Sequence, residues 1–373
     1  MKHIIHIVCH DVPYPVDHGG YFDLYYKIKA LHAAQVGIHL HCFEYGRGMQ
    51  PHLNEFCLSV SYYERRSDWS AFKWGWPYIV SSRISTSLAN RLLQDDFPIL
   101  LEGVHVTSIV WDSRFADRKI TVRLHNVEYV YYKQLFRTEQ HFFRKCYYLL
   151  ESFLLKRYEK KLAHRTRFLS VSYADANIYK IELGAQQIQT VPVFLPFEKV
   201  ESEAGVGYYC LYHGNLSVPE NEKAAFWLLK EVFNDLKIPL VIAGKDPSEK
   251  LEAKAHEQQH TCLVANPSWK EMQDMIGKAQ IHLVPSFNAT GIKLKLINVL
   301  FNGKHCIANP AAIEGSGLES LCYSASNAAA MKSLILQLYR QYFSEEEVLL
   351  RKKILGEIFN ATAQTKLLIE IIC

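Results

Sequence analysis

The stretch NATGIKLKLINVLFNG, residues Asn288–Gly303, contains a helix pattern that is apolar around most of its circumference. It follows IHLVPS, a short apolar run of the kind that forms buried parallel strands, and the helix pattern begins near Gly291. Lys293 and Lys295 fall in the predicted first turn, where a cation opposes the helix dipole at a cost of about 0.3–1 kcal/mol each. An anion bound at this helix start would offset that cost.

The same helix pattern carries one narrow polar stripe. At about one hundred degrees per residue, Lys295, Asn298 and Asn302 fall within roughly forty degrees of Gly291. A solvated helix face is usually broader and more charged. The stripe therefore indicates a helix that lines a ligand site.

The start of this helix has the features of an anion site. The backbone N–H groups of Thr290, Gly291 and Ile292 are predicted to be free, and Lys293 and Lys295 add positive charge. In open α/β sheets, ligands bind outside the carboxyl ends of the strands, which is where this helix begins. The pattern favours a phosphate or diphosphate site, and the alternative is a structural helix cap.

Alternating strand and helix patterns run through the whole chain. The apolar runs predicted as strands are HIIHIVC, GIHLHCF, FPILLEG, KITVRLH, TRFLSVS and IQTVPVF in the first half, and YYCLYHG, IPLVIAG, TCLVAN, QIHLVPS and KHCIAN in the second. Proline, charge and glycine loosen the pattern between Pro196 and Gly207, which indicates a linker. Two Rossmann-like halves in tandem follow from this arrangement.

Composition excludes several classes of protein. The chain has 373 residues, of which 49% are hydrophobic and 21% charged, enough apolar material for two cores and no sign of disorder. A net charge of +4 is too small to indicate a nucleic acid partner. The nine cysteines form no zinc or redox motif, which favours buried thiols in a reducing compartment. With no signal-like start and no long apolar run, we expect a cytoplasmic protein, soluble or peripheral to a membrane.

The positive charge is concentrated between Lys133 and Arg167. This segment holds ten Lys or Arg against three Glu, a net charge of +7. Within it, one apolar stripe recurs at helical spacing beside the basic residues, namely Phe143, Tyr147, Leu150, Leu154 and Tyr158. One interpretation is a core-facing helix with a solvated basic side, and the other is a face that rests on an anionic membrane surface.

Two further segments of the N-terminal half admit alternative interpretations. Gly19 and Gly20 separate the first strand from its helix, where they either let an anion or sugar approach the backbone or form a tight turn. No G-x-G-x-x-G accompanies them, which argues against a dinucleotide dehydrogenase. The aromatic tract WSAFKWGWPYI is either a lid or acceptor-facing loop, or a satellite core.

Four segments, taken together, resemble the GT-B glycosyltransferases of glycosyltransferase family 4. YPVDHGGYFDLYYKIKALHAAQVGIHLHCF is similar to the first strand, glycine loop and helix of the family, and RLHNVEYVYY to its central histidine segment. LYHGNLSVPENEKAAFWLLKEVF resembles the opening of the donor domain, and GIKLKLINVLFNGKHCIANPAAIEG the donor-binding helix with the strand and loop that follow. The similarity extends over nearly the whole chain.

The resemblance implies an α/β fold of two Rossmann-like domains facing across a cleft. Residues 1–200 would form the acceptor-binding domain, residues 201–357 the nucleotide-sugar donor domain, and residues 358–373 a helix that returns to the first domain. The implied activity is transfer of a sugar, hexosyltransferase-like, from a nucleotide-sugar to a glycan or lipid-linked acceptor, with retention of configuration and without metal or cofactor. The absence of a D-x-D motif agrees. Such enzymes often act at membranes, here the inner face.

The resemblance also suggests roles for particular residues. His125 is the candidate catalytic residue, which would orient the transferred sugar, and the alternative is a structural histidine bonded to backbone. Gly19, Gly20 and Lys245 would assist donor binding together with the Gly291 helix. Glu314 would accept a sugar hydroxyl or, alternatively, cap the next helix.

The sequence departs from the family pattern at its glutamates. Family members commonly carry an E-x7-E pair near the donor helix, whereas this chain has Asn288 and Asn298. Asparagine keeps a hydrogen-bond acceptor for a ribose but loses the charge. The alternative function is therefore a weak or inactive relative that binds nucleotide or glycan, or acts as a scaffolding subunit.

Overall fold

The computed structural model describes residues 3–16, 19–288 and 291–373. The chain forms two compact units. The N-terminal unit comprises Met1–Pro196 together with Phe359–Cys373, and the C-terminal unit comprises Phe197–Ile358.

Each unit contains one parallel β-sheet. The strands of the N-terminal unit are β1 (Ile4–Cys9), β2 (Gly37–Glu44), β3 (Ser59–Glu64), β4 (Ile99–Glu102), β5 (Ile120–Leu124), β6 (Arg167–Ser170) and β7 (Ile188–Thr190). Those of the C-terminal unit are β8 (Cys210–Asn215), β9 (Leu240–Lys245), β10 (Thr261–Ala265), β11 (Ile281–Val284), β12 (His305–Ala308) and β13 (Tyr323–Ser324). Every pair of neighbouring strands runs parallel.

Helices connect most of the strands, as parallel pairing requires. Those up to the end of the first sheet are α1 (Gly19–Ala33), α2 (Tyr78–Ser81), α3 (Thr86–Leu92), α4 (Glu128–Thr138), α5 (Phe142–Leu162) and α6 (Tyr173–Ile181). The others are α7 (Pro219–Trp227), α8 (Glu249–His256), α9 (Trp269–Lys278), α10 (Leu294–Asn302), α11 (Pro310–Ile313), α12 (Ala328–Leu338), α13 (Glu345–Ile358) and α14 (Ala361–Ile372). Among the described residues, no helix has both the length and the apolar character that a membrane span needs.

The strand orders locate the points where ligands collect in such sheets. The first sheet has the order β3-β2-β1-β4-β5-β6-β7 and the second β10-β9-β8-β11-β12-β13. The connections reverse direction between β1 and β4 in the first sheet, and between β8 and β11 in the second. Ligands of doubly wound folds bind outside the carboxyl ends of the strands at such switch points.

Packing explains the strand patterns. The central strands are buried on both faces, so they read as continuous apolar runs. At the end of β8 the backbone lies so close to β9 that a Cβ on Gly244 would meet the carbonyl oxygen of Gly214 at 1.9 Å, so only glycine fits there. The last helix, α14, packs in the core of the N-terminal unit, where Leu368 and Ile372 join the cluster around Leu24 of α1.

Candidate functional site

A network of four buried charges lies beneath the β1 and β4 switch point of the N-terminal unit. The ammonium of Lys27 lies 2.9 Å from Asp23 and 2.8 Å from Glu102. Arg123 donates two hydrogen bonds to Asp23, from Nε at 2.6 Å and from Nη2 at 2.8 Å. All four side chains are buried, and each carboxylate is neutralised by a cation.

These contacts keep both acids ionised. Burial alone would raise the pKa of Asp23, but the positive charges of Arg123 and Lys27 outweigh it, and the net shift is downward. In the same way burial acts to raise the pKa of Glu102, and Lys27 together with the hydrogen bond from His125 lowers it below its ordinary value. The network therefore presents a fixed negative carboxylate to His125.

Glu102 positions the predicted catalytic histidine. His125 follows β5 directly, and its Nε2 lies 3.0 Å from Oε2 of Glu102, while its Nδ1 lies 3.9 Å from Asp23. The side chain remains 15% exposed, so Glu102 orients the ring while part of it stays accessible. Its partner is a carboxylate, so the alternative of a histidine bonded to backbone is wrong. The catalytic role of His125 remains a prediction.

Asp23, Glu102 and His125 also have the composition of a metal site, since their ligand atoms lie within 4.8 Å of one another. The carboxylate oxygens, however, already accept from Lys27 and Arg123. A divalent cation would have to displace both and would place three cationic groups in one buried space. The residues present do not fit a metal ion.

Sequence reasoning missed other polar groups at this edge of the sheet. His10 follows β1, its Nδ1 lies 3.2 Å from the carbonyl oxygen of Glu102, and its ring stacks on His105 at 4.9 Å. Glu128 begins α4 and is buried, and burial together with the charge of Glu159 raises its pKa to about 8. A carboxylic acid that is protonated near neutral pH can donate a proton to a reacting group. The segment HNVE after β5 was the available signal.

In the C-terminal unit, the helix of the opening stretch begins later than predicted. The first helical residue of α10 is Leu294, and Lys293 is its N-cap, with an extended backbone (φ −89°, ψ 96°). Gly291 has φ 66°, a left-handed conformation that cannot continue a helix. The amides of Gly291 and Ile292 therefore precede the helix instead of forming its first turn. Thr290 lies outside the described residues.

Lys295 is in the first turn of α10, as predicted, and its contacts are informative. Its Nζ donates to Oδ1 of Asn221 at 2.8 Å and lies 4.9 Å from the ring centre of Tyr212. No carboxylate forms an ion pair with it among the described residues, although Glu220 attracts it from a distance. Burial, with the nearby charge of Lys293, lowers its pKa to about 8. Asn221 belongs to α7, which follows β8, so this ammonium lies at the β8 and β11 switch point. A half-buried ammonium whose hydrogen-bond partners, among the described residues, are all neutral is suited to bind an anion.

The other predicted donor-binding residues of the C-terminal unit, Lys245, Asn298 and Glu314, differ in burial and in their contacts. Lys245 is exposed at the carboxyl end of β9, on the same edge as Lys295. Asn298 is buried and accepts a hydrogen bond from Asn302, 2.8 Å away. Glu314 is exposed after α11 and its side chain makes no hydrogen bond among the described residues, so the capping alternative is wrong. Their donor-binding roles remain predictions.

The two glycines after β1 belong to helix α1, which begins at Gly19. A Cβ on Gly20 would meet nothing within 4 Å, and its φ is not positive. The tight-turn alternative is therefore wrong for Gly20. A role of this helix start in ligand binding remains a prediction.

Comparison with solved structures identifies the fold. The chain is similar to a glycosyltransferase from Rickettsia africae (TM-score 0.67, 13% identity, 100% of this chain and 98% of that one). It is also similar to Anabaena HepE, solved in complex with UDP and glucose (0.65, 10%, 99% and 99%), and to S. aureus TarM, solved with UDP, fondaparinux and an α-GlcNAc-glycerol (0.66, 9%, 100% and 100%). With the two Rossmann-like units, these likenesses confirm the predicted GT-B fold.

Sequence comparison gives one informative relative. An uncharacterised 44.6 kDa protein in the cps region of Klebsiella pneumoniae is 28% identical over 334 residues, which cover 83% of this chain and 84% of the relative. No family model matches the chain.

Proposed function

We propose that this protein is a glycosyltransferase that moves a sugar from a nucleotide-sugar donor to a glycan or lipid-linked acceptor. One observation carries the proposal: at the switch point of the second sheet, the partners of Lys295 within the described residues, Asn221 and Tyr212, are both neutral. A diphosphate would supply the negative counter-charge that the hydrogen-bond partners of this ammonium do not provide. The fold supports the proposal because solved structures of the same fold hold UDP or UDP-glucose.

The proposed chemistry is electrostatic. A nucleoside diphosphate leaves with negative charge, which Lys295 and the first-turn amides of α10 stabilise, an effect worth roughly 3–4 kcal/mol for a well-placed donor. His125, oriented by Glu102, is proposed to bind the transferred sugar. We propose retention of configuration and no metal requirement, in line with the resemblance and with the cation-filled carboxylates of the N-terminal unit.

A donor panel tests this function. Full-length protein is incubated with UDP-, GDP- and ADP-sugars, and release of the nucleoside diphosphate is measured with and without lipid-linked glycan acceptors. We expect release from one nucleotide class, reduced in the Lys295→Met and His125→Asn variants. Nucleotide binding without release or transfer would favour the scaffolding alternative. The asparagines at positions 288 and 298, where the family commonly has glutamates, are the feature that supports that alternative.

We further propose that the protein binds anionic membranes through helix α5. The structure separates the predicted stripe into a buried and an exposed part: Tyr158 is buried, whereas Phe143 is 82% exposed. The exposed apolar side chains of the first turns of α5 are Phe142, Phe143, Tyr147, Leu149, Leu150 and Phe153. The interpretation as a core-facing helix with a solvated basic side therefore fits the second half of α5 but not the first half, where apolar side chains are exposed.

The charge of this surface is more positive than the sequence count suggests. Of the three glutamates in the basic segment, two are buried and bind backbone amides: Glu151 accepts from Ile79 at 3.0 Å, and Glu159 from Tyr129 at 2.9 Å. Only Glu139 remains on the surface. The basic side chains beside exposed phenylalanine and leucine match an anionic lipid surface.

The aromatic tract extends this surface. Trp76 packs against Tyr158 of α5, with ring centres 5.5 Å apart, and is satellite core. Trp69 and Trp74 are 95% and 89% exposed, whereas tryptophan side chains in globular proteins are on average largely buried. Tryptophan favours the interface between water and lipid headgroups. The tract therefore combines both interpretations, with part of it core and part of it available to lipid.

Replacing Phe142 and Phe143 with serine is expected to weaken vesicle binding by about tenfold or more, because each buried aromatic ring contributes roughly 1.5–3 kcal/mol. Sedimentation with phosphatidylglycerol and with phosphatidylcholine vesicles, at low and high salt, measures it. Binding to the anionic vesicles should fall with salt. Ile181→Ser, which removes an equally exposed apolar side chain on α6, is the control and should bind like wild type. Equal binding by all three proteins would contradict the proposal.

A further inference from the structure

The N-terminal unit contains a buried guanidinium that forms no ion pair with any described residue. Arg83 follows α2 and is only 3% exposed. Its Nε donates to the carbonyl oxygen of His10 at 2.9 Å, and its Nη1 to that of Ile79 at 2.8 Å. Its Nη2 makes no hydrogen bond, and no carboxylate forms an ion pair with it, within the parts of the chain that the structure describes. A buried cation without a counter-ion is costly, even when carbonyl groups accept some of its hydrogen bonds.

A second guanidinium lies close to the first. Arg65 follows the end of β3, and its only hydrogen bond as a side-chain donor, again among the described residues, is a long one of 3.4 Å to Ser82. The ring centre of Tyr45 lies 4.4 Å from the guanidinium carbon of Arg65 and 5.8 Å from that of Arg83. Burial and the charge of Arg65 lower the pKa of Arg83 to about 10, which reflects the repulsion between the two.

The acids nearest to this pair have other partners. Asp11 accepts hydrogen bonds from the amide of Val12 at 2.7 Å and from the hydroxyl of Tyr21 at 2.6 Å. Glu102 is paired with Lys27. His10 and His105 carry no negative charge. Glu128 also interacts with Arg83, but burial and the charge of Glu159 raise its pKa to about 8, so this carboxyl is mostly protonated at neutral pH. The charge of Asp11 attracts Arg83 from a distance without an ion pair, so among the described residues the two guanidiniums still leave an excess of positive charge.

We propose that Arg65 and Arg83 form a binding site for a phosphate or diphosphate group of the acceptor. Two guanidiniums suit such a group because each can donate two parallel hydrogen bonds to its oxygens. The site lies at the carboxyl edge of the first sheet, on the rim that also holds His10 and His125. The inference rests on the proposed transferase function, since it assigns the acceptor to the N-terminal unit and gives its chemical class.

A purely structural role explains less of what is seen. If Arg83 served only to hold two carbonyl groups in place, that role would explain two of its hydrogen-bond donors. It does not account for the placement of a second guanidinium, Arg65, beside the same Tyr45 ring, where neither arginine forms an ion pair with a described residue. An anion shared by both side chains accounts for the pair.

Titration calorimetry with inorganic diphosphate tests the site. The full-length Lys295→Met protein is used as background, so that binding at the donor site is weakened, and Arg65→Gln, Arg83→Gln and Arg66→Gln are added to it. Arg66 is the matched control because it is the next residue in the chain and its Nη2 donates to the carbonyl of Ser81 at 2.9 Å. We expect Arg65→Gln and Arg83→Gln to weaken binding by roughly ten- to a hundredfold, the worth of a charge-assisted hydrogen bond. Arg66→Gln should change it by less than about twofold.

Further arms make the result decisive. If melting curves show that Arg83→Gln does not fold, Arg65→Gln alone decides, since Arg65 is only partly buried. Farnesyl diphosphate in detergent micelles replaces inorganic diphosphate in a parallel series: dependence on Arg65 with both probes supports the site, and dependence with the micellar probe alone assigns it to a lipid-linked group. Arg65→Gln behaving like Arg66→Gln with both probes overturns the inference. Loss of UDP affinity in Lys295→Met would then still support the transferase proposal.

Discussion

Replacing Asp23 with asparagine is expected to lower the free energy of unfolding by about 3–5 kcal/mol, the usual cost of breaking a buried ion pair. The substitution keeps the size of the side chain but leaves Glu102 as the one anion that forms an ion pair in this network, as far as the described residues go. It also weakens the acceptor for the amide of Phe194, which now donates to Asp23 at 2.9 Å. Urea denaturation at pH 7 measures the change.

A surface pair on the same unit provides the control. Asp96 is fully exposed and lies 3.2 Å from Arg118. Asp96→Asn should change the free energy of unfolding far less than Asp23→Asn does, because solvent screens such pairs. If Asp23→Asn were as mild as Asp96→Asn, the buried network would not hold the fold or His125 in place.

The pH dependence gives an independent check on Asp23. Its folded-state pKa is lowered, so the stability that it contributes is present above the ordinary carboxyl pKa and is lost as the pH falls through the folded-state value. Wild type should therefore lose stability below about pH 4 more steeply than Asp23→Asn. Equal acid limbs in the two proteins would contradict the ion-pair account.

Much of the fold was predictable because its strands are buried on both faces. Eleven predicted runs correspond to strands of the two sheets, since continuous apolar segments leave few other interpretations. The exception in the first sheet is β3, which reads SVSYYE and is largely half-buried. It is an edge strand, where polar residues are tolerated, so the apolar signal was missing.

The sites were less predictable because their contacts are distant in sequence. Lys27 and Glu102 are separated by 75 positions, and Arg123 and Asp23 by 100, so only the strand order brings them together. The start of α10 was placed too early because composition does not reveal the left-handed conformation of Gly291. The exposure of Phe143 was likewise not decided by its helical spacing, which is the same for a core face and a docking face.

Replacing Lys295 with methionine is expected to weaken nucleoside diphosphate binding by about 1.5–3 kcal/mol, the worth of a hydrogen bond to a charged group. Methionine keeps the apolar stem against Tyr212 and removes the charge, so that folding should be little affected. Titration calorimetry with UDP, GDP and ADP beside melting curves measures both effects. Lys304→Met is the control, since Lys304 lies beyond the other end of α10, where it donates to the carbonyl of Gly277 at 2.9 Å.

The pH dependence of nucleotide binding should identify the same ammonium. Burial lowers the pKa of Lys295 to about 8, so above that pH the free protein loses the charge that the diphosphate needs. Wild-type affinity should therefore fall as the pH rises from 7 to 9, with protons taken up on binding, whereas Lys295→Met should show a flatter profile in this range. A structural helix cap predicts the opposite pattern, in which the variant melts lower and binds nucleotide as well as wild type. Unchanged nucleotide affinity in Lys295→Met, with Lys304→Met also unchanged, would show that the diphosphate does not bind at this helix. The proposed function would then lose the observation on which it rests.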